Sequence, residues 1–257
     1  MNILVSNDDG LHARGLQELV SALSQVAEVY VAAPSVERSA SGHSITVRQA
    51  ITIDEVDFKD AVMGLKVNGT PADCVKLGLR YLEVRDIHID LVYSGVNHGG
   101  NLGTDTLYSG TVAAAIEGAL CGKPAVAVSC NSHEAEHFDV ACALAVDVLP
   151  YIKKYIGNPI TLNINTPNLP KEEIKGVKFT RLGVRGYEEW FNPKEGPDGK
   201  AEYWYHGYPV IYDSVNTNID VIADQEGYAS ITPLQCDMTN YNEIENLKKW
   251  GRNNENK

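Results

Sequence analysis

Asp8 and Asp9 stand side by side in the run Asn7-Asp8-Asp9-Gly10, directly after an apolar stretch, Asn2–Ser6. Adjacent carboxylates at the end of a buried strand repel each other and are costly to desolvate, and a divalent cation removes both problems. Ligands that are all oxygen favour a hard ion such as Mg²⁺, Mn²⁺ or Ca²⁺ over zinc. Taken alone, the pair is better explained as a helix cap or an Asx-turn. A second polar stretch, Arg38-Ser39-Ala40-Ser41-Gly42-His43-Ser44, offers the Ser39 hydroxyl to a metal and His43 as a proton donor to a leaving group. By itself a solvated Ser/Gly loop fits that stretch better.

The third stretch runs from Ser94-Gly95-Val96-Asn97-His98-Gly99-Gly100-Asn101 to Tyr108-Ser109-Gly110-Thr111. Its glycines let backbone N–H groups approach a ligand, and Ser109-Gly110-Thr111 opens a helix. A helix N-terminus with free N–H groups and small hydroxyl residues suits a phosphate. Asn97 brings an amide oxygen for a cation, and Asn101 an amide NH₂ for a phosphate oxygen. A flexible loop before a well-capped helix is the bland reading, and so many small polar residues just after a strand weigh against it.

The elements that must position these loops follow an α/β rhythm. Residues 2–6 read as a strand. Leu16, Leu19, Val20, Leu23, Val26 and Ala27 recur at helical spacing, and 29–33 is a second strand ending at Pro34. This is a βαβ unit, whose crossover implies a parallel sheet. Residues 35–69 read as a long loop with a β excursion. Thr70 is the expected cap of a helix with Pro71 in its first turn. Further strands are expected at 89–93, 125–128, 160–164 and 228–234, and helices at 111–121, 138–156 and 242–250. In open sheets of this kind ligands sit beyond the carboxyl ends of the strands, so all three polar loops should face one crevice.

Beyond Pro170 the composition turns aromatic, with Tyr187, Trp190, Phe191, Tyr203, Trp204, Tyr205, Tyr208 and Tyr212. That is more aromatic surface than a two-stranded arm hides alone. A hairpin packed on another subunit is expected; the alternative folds the same rings back onto their own core.

The chain has 257 residues, 44% of them apolar and 22% charged, and a net charge of −12. Such an acidic surface opposes non-specific nucleic-acid binding, so an anionic substrate needs a cation or a cluster of N–H groups to receive it. No stretch is apolar for long enough to span a membrane, and Met1–Ser6 lacks the basic region and the apolar length expected of a signal peptide. The five cysteines contain no CxxC pair, as expected of reduced thiols in a cytoplasmic protein. His133-Glu134-Ala135-Glu136-His137 matches the HExxH pattern, but it falls before the expected helix rather than inside it. There is no GxxxxGK[ST] run and no GxGxxG after the first strand, and adjacent aspartates fit an aspartyl-phosphate mechanism poorly.

Together, Asn7–Gly10, the Ser39 loop, Gly69-Thr70-Pro71-Ala72-Asp73-Cys74-Val75, Ser94–Asn101 and the Ser109 helix start resemble the SurE survival-protein family. Asn163-Ile164-Asn165-Thr166-Pro167 and the 227–234 run extend the match. The resemblance implies a Rossmann-like α/β fold, with a mostly parallel sheet and helices on both faces. An extended β-hairpin and a C-terminal helix would serve oligomerisation. It also implies a single domain over 1–257, with core at about 1–175 and 219–235, hairpin at about 180–215 and terminal helix at about 240–252. The implied activity is a metal-dependent phosphomonoesterase releasing phosphate from nucleoside 5′- and 3′-monophosphates. The metal, Mg²⁺ or Mn²⁺ with Ca²⁺ as a further occupant, would lie on Asp8, Asp9, Ser39 and Asn97. Phosphate would lie on Asn101, Ser109, Gly110 and Thr111. Catalysis would rest on Asp8 and Asp9, with His43 as the expected proton donor, in a homodimer or homotetramer. The alternative is a nucleotide-binding sensor that uses the same phosphate loop without hydrolysis.

Overall fold

The computed structural model describes residues 1–211 and 218–254. The chain begins with β1 (Asn2–Ser6), α1 (Arg14–Ser24) and β2 (Glu28–Pro34). β3 (Ile53–Val56) and β4 (Met63–Val67) are the expected β excursion, followed by α2 (Pro71–Glu83). Next come β5 (Leu91–His98), a 3-10 turn (Gly103–Leu107), α3 (Gly110–Leu120) and β6 (Ala125–Asn131). α4 (Phe138–Asp147), α5 (Leu149–Ile152), β7 (Thr161–Pro167) and β8 (Val177–Phe179) complete the core sequence up to the arm. The arm itself is β9 (Arg185–Glu195) and β10 (Ala201–Ile211), and α6 (Asp220–Gln225), β11 (Ala229–Leu234) and α7 (Tyr241–Asn254) close the chain.

Nine strands form one sheet in the order β3-β4-β2-β1-β5-β6-β7-β11-β8. β4, β2, β1, β5, β6 and β7 run parallel to their neighbours, while β3 and β11 each pair antiparallel, with β4 and β7. β1 is buried from Ile3 to Ser6 and β6 from Ala125 to Cys130. Such near-continuous apolar runs are what a parallel sheet covered on both faces requires. One layer packs Leu16, Leu19, Leu23, Phe138 and Ala141 from α1 and α4 against Ile3, Val5, Tyr93 and Val126. The other packs Cys74, Val75, Leu82, Val112 and Ala115 from α2 and α3 against Leu4, Val92 and Ala127. Sheet order reverses direction between β1 and β5, so the crevice beyond their carboxyl ends is the switch point at which such sheets bind ligands.

α2 starts as its sequence dictates. The Thr70 hydroxyl accepts from the Asp73 N–H, and the Asp73 carboxylate accepts from the Thr70 N–H, a reciprocal capping box with Pro71 following.

Several elements differ from the expectations. The strand at 89–93 runs on to His98, through the stretch read as loop. Its register on β6 shifts between Ser94 and Asn97. There Gly95 has φ +129°, and a Cβ on it would lie 2.1 Å from the Val128 oxygen, so only glycine lets the bulge sit against β6. The single helix expected over 138–156 is broken after Asp147. Pro150 lacks the N–H an uninterrupted helix needs, and its ring crowds the turn before it. β8 and α6 were not expected.

The hairpin forms with β9 and β10 in antiparallel register, Arg185 opposite Ile211. Phe191, Tyr203 and Trp204 are exposed on it. Tyr212 lies outside the described residues. α7 also exposes Leu247 and Trp250. Among the described residues no helix is long and apolar enough to cross a membrane. All five cysteines are free thiols.

Candidate active site

The loops after β1, β2 and β5 meet in one crevice of about 1010 Å³. Asp8, Asp9, Ser39, Asn97, Asn101 and Ser109 all line it, so six residues singled out from three separate sequence stretches come together.

Asp8 is buried, and its nearest support is the start of α3. Thr111 turns its hydroxyl to Asp8 Oδ1 and adds its backbone N–H. Burial and then the neighbouring Asp9 carboxylate push Asp8 up to about 6, against those Thr111 bonds. The helix approaches so closely that a Cβ on Gly110 would lie 2.7 Å from Asp8 Cβ and 3.0 Å from Pro71 Cγ. Gly110 is therefore there to let the helix start abut the carboxylate. Asp9 is likewise raised by burial, against the pull of His98, whose backbone N and Nδ1 lie 3.3 and 3.4 Å from Asp9 Oδ2. The His98 ring rests edge-on against Phe138 with centroids 5.0 Å apart.

These carboxylates are poor in cationic partners and costly to ionise together, which is the situation a divalent cation resolves. The donors around them are hard oxygens. Asn97 directs its amide NH₂ to the Gly99 oxygen at 2.8 Å and the His98 oxygen at 3.3 Å, which leaves its amide oxygen for a cation. Ser39 donates to Glu37 Oε1 at 2.7 Å and retains its oxygen lone pairs. Among the described residues no group of three or more His, Cys, Asp or Glu side chains is placed to hold a metal ion, so a cation here would draw on amide and hydroxyl oxygens beside the two carboxylates. This set of oxygen donors suits a hard divalent cation.

Asn101 is held from behind. Its N–H donates to Asn165 Oδ1 at 2.7 Å, and its carbonyl oxygen accepts from Asn163 and Asn165 at 2.8 and 3.1 Å. One amide hydrogen goes to Ser129 Oγ at 2.8 Å. An amide has two, so the second remains for a phosphate oxygen. Ser109 caps α3 by accepting from the Val112 N–H at 3.0 Å, and its own O–H is left to donate. The arrangement can bind a phosphate on a helix start, directly beside two carboxylates that can hold a cation.

Two of the expected roles differ in the structure. Thr111 gives its hydroxyl to Asp8, so it orients that carboxylate instead of offering the hydroxyl to phosphate. His43 does not line the crevice. Its Nε2 lies 2.8 Å from Glu117 Oε2 on α3, and Lys76 Nζ lies 2.9 Å from the other oxygen of the same carboxylate. Burial alone would raise Glu117, yet these two partners hold it below the usual range. His43 thus braces the Ser39 loop against α3, since a pairing partner from a distant helix satisfies its ring. The HExxH match is not helical at its first histidine, and His137 only flanks α4. That excludes the helical zinc-ligand geometry the pattern requires.

Sequence reasoning missed five further residues that line the crevice: His98, His133, Asp105, Tyr108 and Tyr187. Asp105 Oδ2 accepts from Arg185 Nη1 at 2.8 Å and from the Tyr187 hydroxyl at 2.7 Å. The only sequence signal was the aromatic density around Tyr187, which pointed to no partner.

The sequence model of the family described as Survival protein SurE matches residues 3–189. A 5′-nucleotidase SurE of Petrotoga mobilis is 46% identical over 97% of this chain and 99% of its own length. A 5′-nucleotidase SurE of Syntrophomonas wolfei is 46% identical over 97% of this chain and 94% of its own. The crystal structure of the SurE protein from Aquifex aeolicus has a TM-score of 0.80 at 37% identity, covering 98% of this chain and all of that one.

Proposed function

The chain belongs to the SurE survival-protein family, and on that premise we propose how its crevice works as a metal-dependent nucleotidase. The reaction is hydrolysis of a nucleoside 5′- or 3′-monophosphate to nucleoside and phosphate. The observation that carries the reading is the pair Asp8 and Asp9 facing a helix start within one crevice. A sensor that only bound the nucleotide would not need two costly carboxylates beside an anion.

In this reading Asp8, Asp9, Ser39 and Asn97 hold Mg²⁺ or Mn²⁺, with Ca²⁺ able to occupy the same oxygens. A divalent cation there supplies charge against the phosphate and lowers the pKa of water. Thr111 fixes the direction of Asp8. Asn101, the Ser109 hydroxyl and the Gly110 N–H hold phosphate oxygens, aided by the positive end of α3. Asp9 carries no hydrogen bond on Oδ1 among the described residues, and it orients the water that attacks phosphorus in line with the leaving ribose oxygen. His98 and His133, which line the crevice, replace His43 as the candidates to protonate that oxygen. The exposed aromatic rings of the arm and of α7 support a homodimer or homotetramer, and the free thiols suit the cytoplasm.

The test is phosphate release from 5′- and 3′-nucleoside monophosphates with Mg²⁺, Mn²⁺ or EDTA, on wild type and Asp8→Asn. Metal-dependent release that the substitution abolishes is expected. Tight nucleotide binding without release by the folded wild type would overturn the reading in favour of a sensor.

A further inference from the structure

The turn that carries Asn101 into the crevice is held at three successive backbone N–H groups. Gly99 donates to the Cys130 oxygen at 2.9 Å, Gly100 to Asn131 Oδ1 at 3.1 Å and Asn101 to Asn165 Oδ1 at 2.7 Å. The first acceptor is backbone of β6, and the third is oriented by the Asn165 NH₂, which donates back to the Asn101 oxygen at 3.1 Å. The middle acceptor has no such local guarantee. A side-chain amide can present either its oxygen or its NH₂ to a neighbour, and its other partner decides which.

That other partner is Asp224 on α6, 93 residues away in sequence, whose Oδ2 accepts from the Asn131 NH₂. An ionised carboxylate only accepts. It therefore draws the NH₂ to itself and leaves the Asn131 oxygen turned to Gly100. The amide lies flush against the turn, since a Cβ on Gly100 would stand 2.6 Å from Asn131 Oδ1 and 2.8 Å from its Cγ. Neither Asp224 nor Asn131 lines the crevice, yet Gly99, Gly100 and Asn101 all do.

Asp224 is a costly residue to keep in this place. Its Oδ1 is shielded from solvent with no partner among the described residues, and Arg185, which favours its charge, is bound to Asp105 at 2.8 Å. Burial consequently pushes the carboxyl up to about 6. A fold gives up stability in this way where a group has to be placed for function.

We propose that Asp224 is a positioning residue for the phosphate subsite: it fixes the Asn131 amide, which holds the Gly100 peptide and so places the Asn101 side chain. The inference rests on the nucleotidase reading above, in which Asn101 binds phosphate.

The experiment measures the inhibition constant of inorganic phosphate, with KM and kcat for AMP, at pH 7.5 and saturating Mn²⁺. It compares wild type, Asp224→Asn, Asn101→Ala and the double variant. Asparagine at 224 has the same shape but can turn either face to Asn131, so the amide loses its fixed direction. Asp224→Asn should raise the phosphate constant and KM by roughly three- to tenfold, the scale of one hydrogen bond, with kcat within about twofold of wild type. Its melting temperature should not fall, because a buried charge is removed. A residue that only supported the fold would lose stability and leave the phosphate constant alone. The double variant should match Asn101→Ala, since both changes act on one contact. An unchanged phosphate constant in Asp224→Asn, a loss confined to kcat, or effects that multiply in the double variant each overturn the inference. An unchanged phosphate constant in Asn101→Ala would instead overturn the assignment of phosphate to Asn101, on which the inference stands.

Discussion

Two groups of crevice residues are held by opposite means. The carboxylates and the helix cap are placed locally. Asp8 and Asp9 follow β1, Asn97 lies near the end of β5, and Ser109 caps α3, so each is placed by the element beside it in sequence. Asp105 and its partners are placed at long range. Asp105 reaches 80 residues along the chain to Arg185 and 82 to Tyr187, while Tyr108 stands exposed. The two carboxylates thus sit at the ends of sheet strands, while Asp105 is tied to a segment that the chain reaches much later. Sites on sheet and helix ends hold reacting groups more tightly than sites on loops.

Substitutions among the locally placed residues should have the largest consequences. Asp8→Asn removes a charge without changing volume. It should lower metal-dependent phosphate release by at least roughly 10³-fold, the scale of several kcal/mol of transition-state stabilisation. Steady-state assays on protein with an unchanged circular-dichroism spectrum check this, and turnover near wild type would remove Asp8 from the reaction.

Gly110→Ala comes next. Alanine gains up to about 1 kcal/mol in helix propensity, but a Cβ 2.7 Å from Asp8 Cβ costs about 1–3 kcal/mol of overpacking and displaces that carboxylate. The clash wins, so both melting temperature and turnover should fall. A variant more stable than wild type would show that the helix start can move away from Asp8.

Asp224, on α6 behind the crevice loop, gives a pH signature. It bonds Asn131, whose Oδ1 in turn accepts from the Gly100 N–H of the crevice loop at 3.1 Å. Asp224 Oδ1 is shielded from solvent with no partner among the described residues, and burial pushes the carboxyl up to about 6 from 3.8, despite Asn131 and Arg185. The folded protein therefore binds this proton more tightly than the unfolded chain does. Its contribution to stability grows as pH falls from about 6 towards 4 and is absent above about 6. Asp224→Asn should flatten that slope and raise stability at pH 7.5 by on the order of 2 kcal/mol. Urea denaturation at pH 5 and 7.5 measures it; equal slopes in both proteins would contradict the cost of the buried charge.

Asn165→Ala should have the smallest effect on turnover. It leaves the buried Asn101 N–H without its acceptor, costing about 1–3 kcal/mol of stability, and loosens one phosphate contact. A several-fold rise in KM with little change in kcat is expected. A fall confined to kcat would mean that Asn101 acts on the reacting atoms.

The same contrast explains what the sequence made legible. Asp8, Asp9, Ser39, Asn97, Asn101 and Ser109 are polar residues set at the ends of apolar runs, and hydrophobic periodicity locates those ends. Thr70 and Pro71 announced α2 for the same local reason. Tyr187, Asp105 and α6 left no such trace, because their meaning lies in partners scores of residues away. His43 failed in the same way: a histidine beside serines reads as a proton donor until Glu117 arrives from another helix to take it. In 138–156 the periodicity persisted across Pro150, and pattern overrode a breaker that was in plain view.

Asp220 is wholly buried, and its carboxylate accepts the N–H groups of Gly103, Gly183 and Val221 at 2.7, 2.8 and 2.9 Å. It thereby pins the turn that carries Asp105 to the root of the arm. On the ribosome, Asp8, Asp9 and the start of α3 have been made once residue 120 is added, while this knot must wait for residue 220. At ordinary elongation rates that is a delay of roughly 5–20 s. A nascent chain in that interval already carries Asp8, Asp9 and Ser109 but not the segment that pins the Asp105 turn. The tie between that turn and the arm is the last part of the crevice to be synthesised.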